Sequence, residues 1–474
     1  MSLQREAFTP GYFESSGSVT LRDGQTIPFS TICQDNIFYD ENGNAIGSMF
    51  TYSYFRNDVA DVAMRPVIFH FNGGPGSGSM WLHAGIFAPW RLKFDDPEAV
   101  QQPHLPPYRI ENNELCLIDI ADLVFIDPVA CGYGRLLDPT AGEHFFGMDA
   151  DADSFNVLIH SWLSRHDRWQ SPKYLLGESY GTNRAALLAE SLSGSAQNDY
   201  SPVYLNGLIL LGNAIGTGDG VNNYEGSEES LLLLPTAAAT NWYHNQLPGN
   251  LADFVDSCYA FCKDEYASAL YQGDFIDSQT KDKIAEKVAY FSGLSKDLVL
   301  SLNLRLSKMD YLKQVLHGRG LEVGLYDSRF TLPLNNDYSR ENMVRDDAAQ
   351  AQFAPPFVAA ISGPMKKWLQ ISFDRKFYGS SSTASRNWKR TSKRHAAKSL
   401  SACMRRNPKM RVIFCSGYYD MQCKMGEARY MIAHANLPLD RVDIALYPSG
   451  HMSYLGEEGA TAFADDVRAF VLKG

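Results

Sequence analysis

The sequence has no run approaching the roughly 18 apolar residues that cross a bilayer. Its greasiest pieces, Leu208–Leu211 and Leu231–Leu234, are short and bounded by Gly or Pro, which predicts no membrane span. Positive charge is in deficit: 43 Lys+Arg stand against 54 Asp+Glu, a formal net charge of -11. That balance argues against a chain-wide surface for nucleic acid or anionic lipid and supports solubility. Cysteine is sparse, with eight among 474 residues and no paired C-x-x-C spacing, so neither a disulfide scaffold nor a zinc site is expected. Met1–Glu6 lacks the apolar stretch of a secretory signal, and the compartment stays open: periplasmic or secreted if a leader was removed, otherwise cytoplasmic.

With 45% hydrophobic residues, the chain can bury a large core. Its first sixty residues alternate apolar and polar positions between Asp23-Gly24 and Asn42-Gly43 turn signals, which predicts antiparallel hairpins. From Pro66 the pattern changes. Val67–Phe71, Leu123–Asp127 and Lys173–Leu176 are short continuous apolar runs, separated by helical stretches at Ser154–Trp162 and Arg184–Leu192. Buried parallel strands in a doubly wound α/β sheet are expected, and Arg411–Ser416 and Arg441–Tyr447 add two more. Between them, from about Pro248 to Gly320, caps at Ser278, Ser295 and Ser307 predict a mostly helical insertion. The expected organisation is one catalytic unit, with a core of 1–247 and 351–474 and a helical cap at 248–350. Gly379–Thr383, the only low-complexity piece, reads as a mobile loop.

Gly177-Glu178-Ser179-Tyr180-Gly181 is the only G-x-S-x-G, and it lies between a strand and a helix. That context fits a nucleophile elbow, a sharp turn that leaves Ser179 Oγ exposed with a helix N-terminus behind it. A serine alcohol needs a base, and the base needs an acid to orient it. On such sheets the chain order is Ser, acid, His. Asp420 follows one late strand in Gly417-Tyr418-Tyr419-Asp420, and His451 follows the next in Ser449-Gly450-His451-Met452. The rivals Asp440, Asp443 and His434 lie at a strand start or inside a helix. A second glycine loop, Asn72-Gly73-Gly74-Pro75-Gly76-Ser77-Gly78-Ser79, can point backbone N–H groups at a developing oxyanion. A phosphate cradle is the competing reading, but the Lys-Ser/Thr ending is missing and Pro75 removes a donor.

Taken together, these segments resemble the serine carboxypeptidase family of α/β-hydrolases, and its bacterial members in particular. The motifs stand at 72–76, 177–181, 417–420 and 450–452. The resemblance implies a Ser179–Asp420–His451 triad, an oxyanion hole from the N–H groups of Gly74 and Tyr180, and substrate-facing positions at Asn72, Gly73 and Glu178. Asn72 and Glu178 would receive the free C-terminal carboxylate of a peptide. A carboxyl binds a carboxylate only if one of the two is protonated, so exopeptidase activity favoured at acid pH is expected. No cofactor or metal is called for.

Departures are visible as well. Eukaryotic members carry a Trp two before the Asn and a second Glu fourteen after it; here those positions hold His70 and Ile86. Arg91 is a candidate ionic contact to the carboxylate. The cysteine after Gly-Gly-Pro-Gly is replaced by Ser77, while Cys423 matches a family cysteine and reads as a packed thiol. The substrate is expected to be a peptide or small acyl compound. Esterase or acyltransferase chemistry with the same triad, or a silent binding protein, are the competing functions. The ten Lys/Arg between Arg386 and Arg411 read as an amphipathic helix with a solvated basic face, and Asp149–Asp153 as acidic residues at a helix start.

Overall fold

The computed structural model describes residues 8–93, 105–194, 201–216, 225–334 and 347–473. The Met1–Glu6 segment read above lies outside them. A ten-stranded sheet forms the centre. Its main strands are β1 (Tyr12–Thr20), β2 (Thr26–Tyr39), β3 (Ala45–Arg56), β4 (Val67–Phe71), β5 (Asp122–Asp127), β6 (Lys173–Glu178), β7 (Gly207–Leu211), β8 (Arg411–Gly417) and β9 (Val442–Tyr447). They lie in the order β1-β2-β3-β5-β4-β6-β7-β8-β9, with short Arg135–Leu136 also pairing with β3.

The first three strands are antiparallel and joined by the expected turns. Gly24 and Gly43 take φ of +83° and +79°, and Asp40 Oδ1 accepts from the N–H groups of Asn42 and Asn44. From β5 to β9 every neighbour is parallel. The central strands are buried on both faces, which is why β4, β5, β6 and β7 read as apolar runs without alternation. Strand β7 was not anticipated as a strand. It sits between β6 and β8, and its five residues, Gly207–Leu211, are too few to show a period.

Helices cover both faces. Helix α1 (Met148–Arg165) and helix α2 (Tyr180–Leu192) pack on one side, and α2 also meets α5 (Ala396–Arg406). Helix α5 buries Ala396, Ala397, Leu400, Cys403 and Met404 and holds the expected amphipathic register. Between β7 and β8 lie α3 (Gly226–His244), further helices at Leu251–Phe261, Ser278–Ser292, Lys296–Ser301 and Lys308–Gln314, and then α4 (Ala348–Ala360). Most of this region shares a separate apolar core around Leu233, Tyr266, Val288 and Tyr311. Ser295 and Ser307 cap their helices as expected, but Asp277 rather than Ser278 caps Ser278–Ser292, its carboxylate accepting from the N–H groups of Gln279 and Thr280. Two adjacent cap-forming residues leave the sequence one position ambiguous. Helices α6 (Met425–His434) and α7 (Glu457–Leu472) follow β8 and β9. Among the described residues, no helix is long and apolar enough to cross a membrane.

Candidate active site

Ser179 stands at the end of β6 with φ 61° and ψ -128°, and α2 begins at the next residue. A left-handed serine is strained and persists only where its surroundings hold it. They do so closely. Ser179 N–H donates to Leu211 O on β7 at 2.8 Å, and a Cβ on Gly177 would lie 2.2 Å from Gly181 O. Two glycines flanking the serine therefore let the turn fold back on itself.

The loops after β8 and β9 bring Asp420 and His451 together in the interior. His451 Nδ1 donates to Asp420 Oδ2 at 2.8 Å. The other carboxylate oxygen accepts the N–H groups of Gln422 and Cys423, both at 2.8 Å. This leaves Nε2 as the imidazole's free lone pair, the tautomer a general base needs. Burial opposes charge on His451, but the Asp420 carboxylate beside it holds its pKa well above the usual imidazole value. Gly212, at φ +61°, makes room for the pair: a Cβ there would lie 2.9 Å from His451 Cε1. Ser179 and His451 line the same cavity without a hydrogen bond between their side chains in this conformation. Among the described residues, Asp420, Cys423 and His451 are the one grouping of three metal-type donor atoms, all within 4.8 Å. The Nδ1–Oδ2 bond already commits two of them to each other.

The rivals stand elsewhere. His434 is exposed at the end of α6 with Nδ1 against Tyr430 O, and Asp443 pairs with Arg411.

The glycine loop after β4 packs directly on the elbow. A Cβ on Gly73 would sit 2.4 Å from Tyr180 N, so only glycine allows this approach. The N–H groups of Gly74 and Tyr180 donate to no acceptor among the described residues; Gly74 lines the cavity with Ser179, and Tyr180 is the next residue in the chain. Two free amides beside a nucleophile are what an oxyanion requires. The far end of the loop is tied down by Asp127, buried at the end of β5, which accepts from Ser79 N–H (2.7 Å), Ser79 Oγ (2.9 Å), Tyr133 N–H (3.1 Å) and Tyr52 Oη (3.0 Å). A second buried anchor is the Arg184–Asp151 pair. Arg184 Nε is 2.7 Å from Asp151 Oδ2, and its Nη1 donates to Asn72 O at 2.6 Å. Sequence reasoning missed both anchors. Asp151 was read only as an acid favouring a helix start, whereas Asp149 and Asp153 pair with Arg394 and Asp151 with Arg184.

Glu178 is buried beside Ser179. Asn72 Nδ2 and Tyr454 Oη both donate to its Oε2 at 2.8 Å. Burial pushes this carboxyl up to about 7, although His451, Tyr454 and Asn72 each pull it down. Asn72 Oδ1 accepts from Leu82 N–H, which fixes the orientation of its amide.

These groups surround a cavity of about 410 Å³. Its wall is apolar where Met80, Trp81, Ala354, Val358 and Met452 face it, and among the described residues its lining contains no Lys or Arg. Gly379 and Ser380 also line it, and Ser380 pairs with Ser77 across an antiparallel bridge. The segment expected to be a mobile loop is therefore held against the glycine loop by backbone hydrogen bonds. Arg91 does not reach this cavity. It is buried against Glu457, with Nη2 2.7 Å from Oε2, so neither candidate reading, a carboxylate contact or a surface arginine, describes it. His70 and Ile86 are fully buried; His70 stacks on Phe125 at 4.5 Å, and burial pushes its imidazole down to about 3.

The serine carboxypeptidase family profile matches residues 38–447, and the chain belongs to that family. Among curated proteins, serine carboxypeptidase-like 36 of Arabidopsis thaliana is 27% identical over 172 residues, covering 36% of this chain and 32% of that protein. Serine carboxypeptidase-like 38 of the same plant is 25% identical over 173 residues, covering 35% and 33%. The alignments thus span about a third of the length of these relatives. Among solved structures, the prohormone-processing carboxypeptidase KEX1(delta)p from Saccharomyces cerevisiae aligns over 93% of this chain and 91% of its own at 14% identity, with a TM-score of 0.56. That likeness establishes a shared α/β-hydrolase fold.

Proposed function

We propose that the protein is a serine carboxypeptidase-like hydrolase that removes C-terminal residues from peptides. The observation that carries this reading is the joining of two devices in one cavity: Ser179 with the His451–Asp420 pair, and Glu178 with Asn72 beside them. Ser179 Oγ attacks the carbonyl of the last peptide bond as His451 Nε2 takes its proton. Asp420 stabilises the imidazolium that forms. The N–H groups of Gly74 and Tyr180 bind the oxyanion, and each such donor contributes roughly 3 kcal/mol in the transition state. His451 then gives its proton to the leaving amine. Water, activated by the same imidazole, releases the acyl group from Ser179.

Protonated Glu178 and the Asn72 amide receive the substrate's terminal carboxylate. The carboxylate ionises above about pH 3.5 and Glu178 loses its proton near 7, so the acid–carboxylate pairing is available between these limits. The apolar wall favours apolar side chains at the cleaved end.

The test compares an N-blocked dipeptide with its C-terminal amide between pH 4 and 9, alongside fluorophosphonate labelling. Labelling at Ser179 and a preference for the free carboxylate are expected. Equal turnover of both substrates turns the reading toward an esterase or acyltransferase, and failure to label toward a binding protein. Ser179→Ala is expected to reduce turnover by about four orders of magnitude or more.

A further inference from the structure

Position 86, where eukaryotic family members carry a second Glu, is here a buried isoleucine. The partner of Glu178 comes from a different part of the chain. Tyr454, three residues beyond His451, runs its ring across Gly85 and sets its Oη on Glu178 Oε2 at 2.8 Å. The fit depends on glycine: a Cβ at position 85 would lie 2.6 Å from Tyr454 Cε2 and 2.8 Å from Cδ2. Tyr454 is itself buried, and its phenol is pushed well above its usual value by burial and by Glu178, so it remains a donor at every working pH.

The two donors fall on the same oxygen. Oε2 accepts from both Asn72 and Tyr454, while Oε1 takes no hydrogen bond from the described residues. A neutral carboxyl whose Oε2 already receives two donors carries its proton on the other oxygen. We propose that Tyr454 is a positioning residue for carboxylate recognition: with Asn72 it saturates Oε2, so that the Glu178 proton is held on Oε1, facing the substrate cavity. Tyr454 thereby replaces a second acid with a donor that never competes for the shared proton. This inference rests on the reading of Glu178 as the carboxylate receptor.

The consequence is a pH signature. Glu178 is faced by Asn72 from the loop after β4, by Tyr454 from the segment before α7, and by His451 and Asp420 from the loops after β9 and β8. Removing the Tyr454 hydroxyl removes a donor to the ionised carboxylate. Ionisation then becomes harder, and the proton is retained to higher pH. The remaining proton also loses its fixed address, so binding of the carboxylate weakens while the triad is untouched.

The experiment measures kcat and KM separately for the N-blocked dipeptide and its amide, from pH 4 to 9, in the wild type, Tyr454→Phe, Gly85→Ala and Glu178→Gln. Unchanged fluorophosphonate labelling of Ser179 reports an intact fold. For Tyr454→Phe, KM for the dipeptide at pH 5 is expected to rise about fivefold, the equivalent of one ordinary hydrogen bond. Its alkaline limb should move up by roughly half a pH unit. The amide should be unaffected and kcat nearly so. Gly85→Ala, whose new methyl group displaces the ring, should reproduce the same pattern and keeps the proposal testable if Tyr454→Phe folds poorly. A limb and KM unchanged in both variants, while Glu178→Gln abolishes the limb, would overturn the role of Tyr454 and leave the carboxylate reading standing. A Glu178→Gln enzyme with the wild-type limb and wild-type preference for the free carboxylate overturns that reading instead.

Discussion

Individual residues here are governed by what burial does to charge. Glu178 and His451 line the same cavity, where charge on the imidazole pulls the Glu178 pKa down against the upward push of burial. His451 must be neutral to accept from Ser179, and Glu178 must be protonated to donate, so the productive state keeps its proton on the carboxyl. A bound substrate carboxylate favours that state, because a second negative charge opposes ionisation of Glu178. The same carboxyl bears on stability. Its folded pKa of about 7 lies above the ordinary 4.5, so the folded state binds more protons in between, and stability falls as pH rises through that window. Glu178→Gln removes this loss. Relative to wild type, the variant should gain about 3 kcal/mol between pH 4 and pH 8, an order-of-magnitude figure that urea denaturation at the two pH values can check. No difference between the two pH values would contradict a buried, late-titrating carboxyl.

Much of this residue-scale picture was legible in advance. The convergence of Ser179, Asp420 and His451 could be foreseen because each follows a strand, and strand ends are marked by glycine. Asp127, Asp151, Arg184 and Tyr454 could not. Each acts through a partner far away in the chain, and a lone Asp or Tyr in a sequence carries no sign of what it will meet. Arg91 failed for the complementary reason: a guanidinium near the motif was available, but Glu457 from α7 had prior claim on it.

At the scale of elements, strands proved easier to read than the helical region. Apolar runs of β4, β5 and β6 had little choice but to be buried, whereas α3 hides its period in four consecutive leucines and carries Pro235 inside the helix. Helix α4 is the element with a direct functional consequence. Gln350, Ala354 and Val358, each four residues apart, present one face to the cavity. Ala354 is its small central position. Ala354→Phe should fill the wall and lower kcat/KM for dipeptides with large terminal side chains by roughly tenfold or more, while sparing those ending in alanine or glycine. A uniform loss across the series would place the effect on folding or on the triad.

The whole molecule keeps its thiols inside. All eight cysteines are unpaired and buried, and burial holds Cys33 and Cys415 well above their ordinary range as thiols. The native protein should therefore react little with an aromatic disulfide reagent, release eight equivalents on unfolding, and show the same melting temperature with and without reductant. A drop in melting temperature with reductant would show that bridges support the fold.

The sheet order has a further consequence in time. Ser179, Asp420 and His451, the proposed nucleophile, acid and base, follow β6, β8 and β9, and the whole region from α3 to α4 intervenes before the last two are made. A nascent chain on the ribosome thus exposes its serine long before a base exists to activate it. Under the proposed function, hydrolytic competence would arrive with the final strand, after the surrounding core has had the opportunity to close. The topology would thus delay that chemistry until most of the chain has been made.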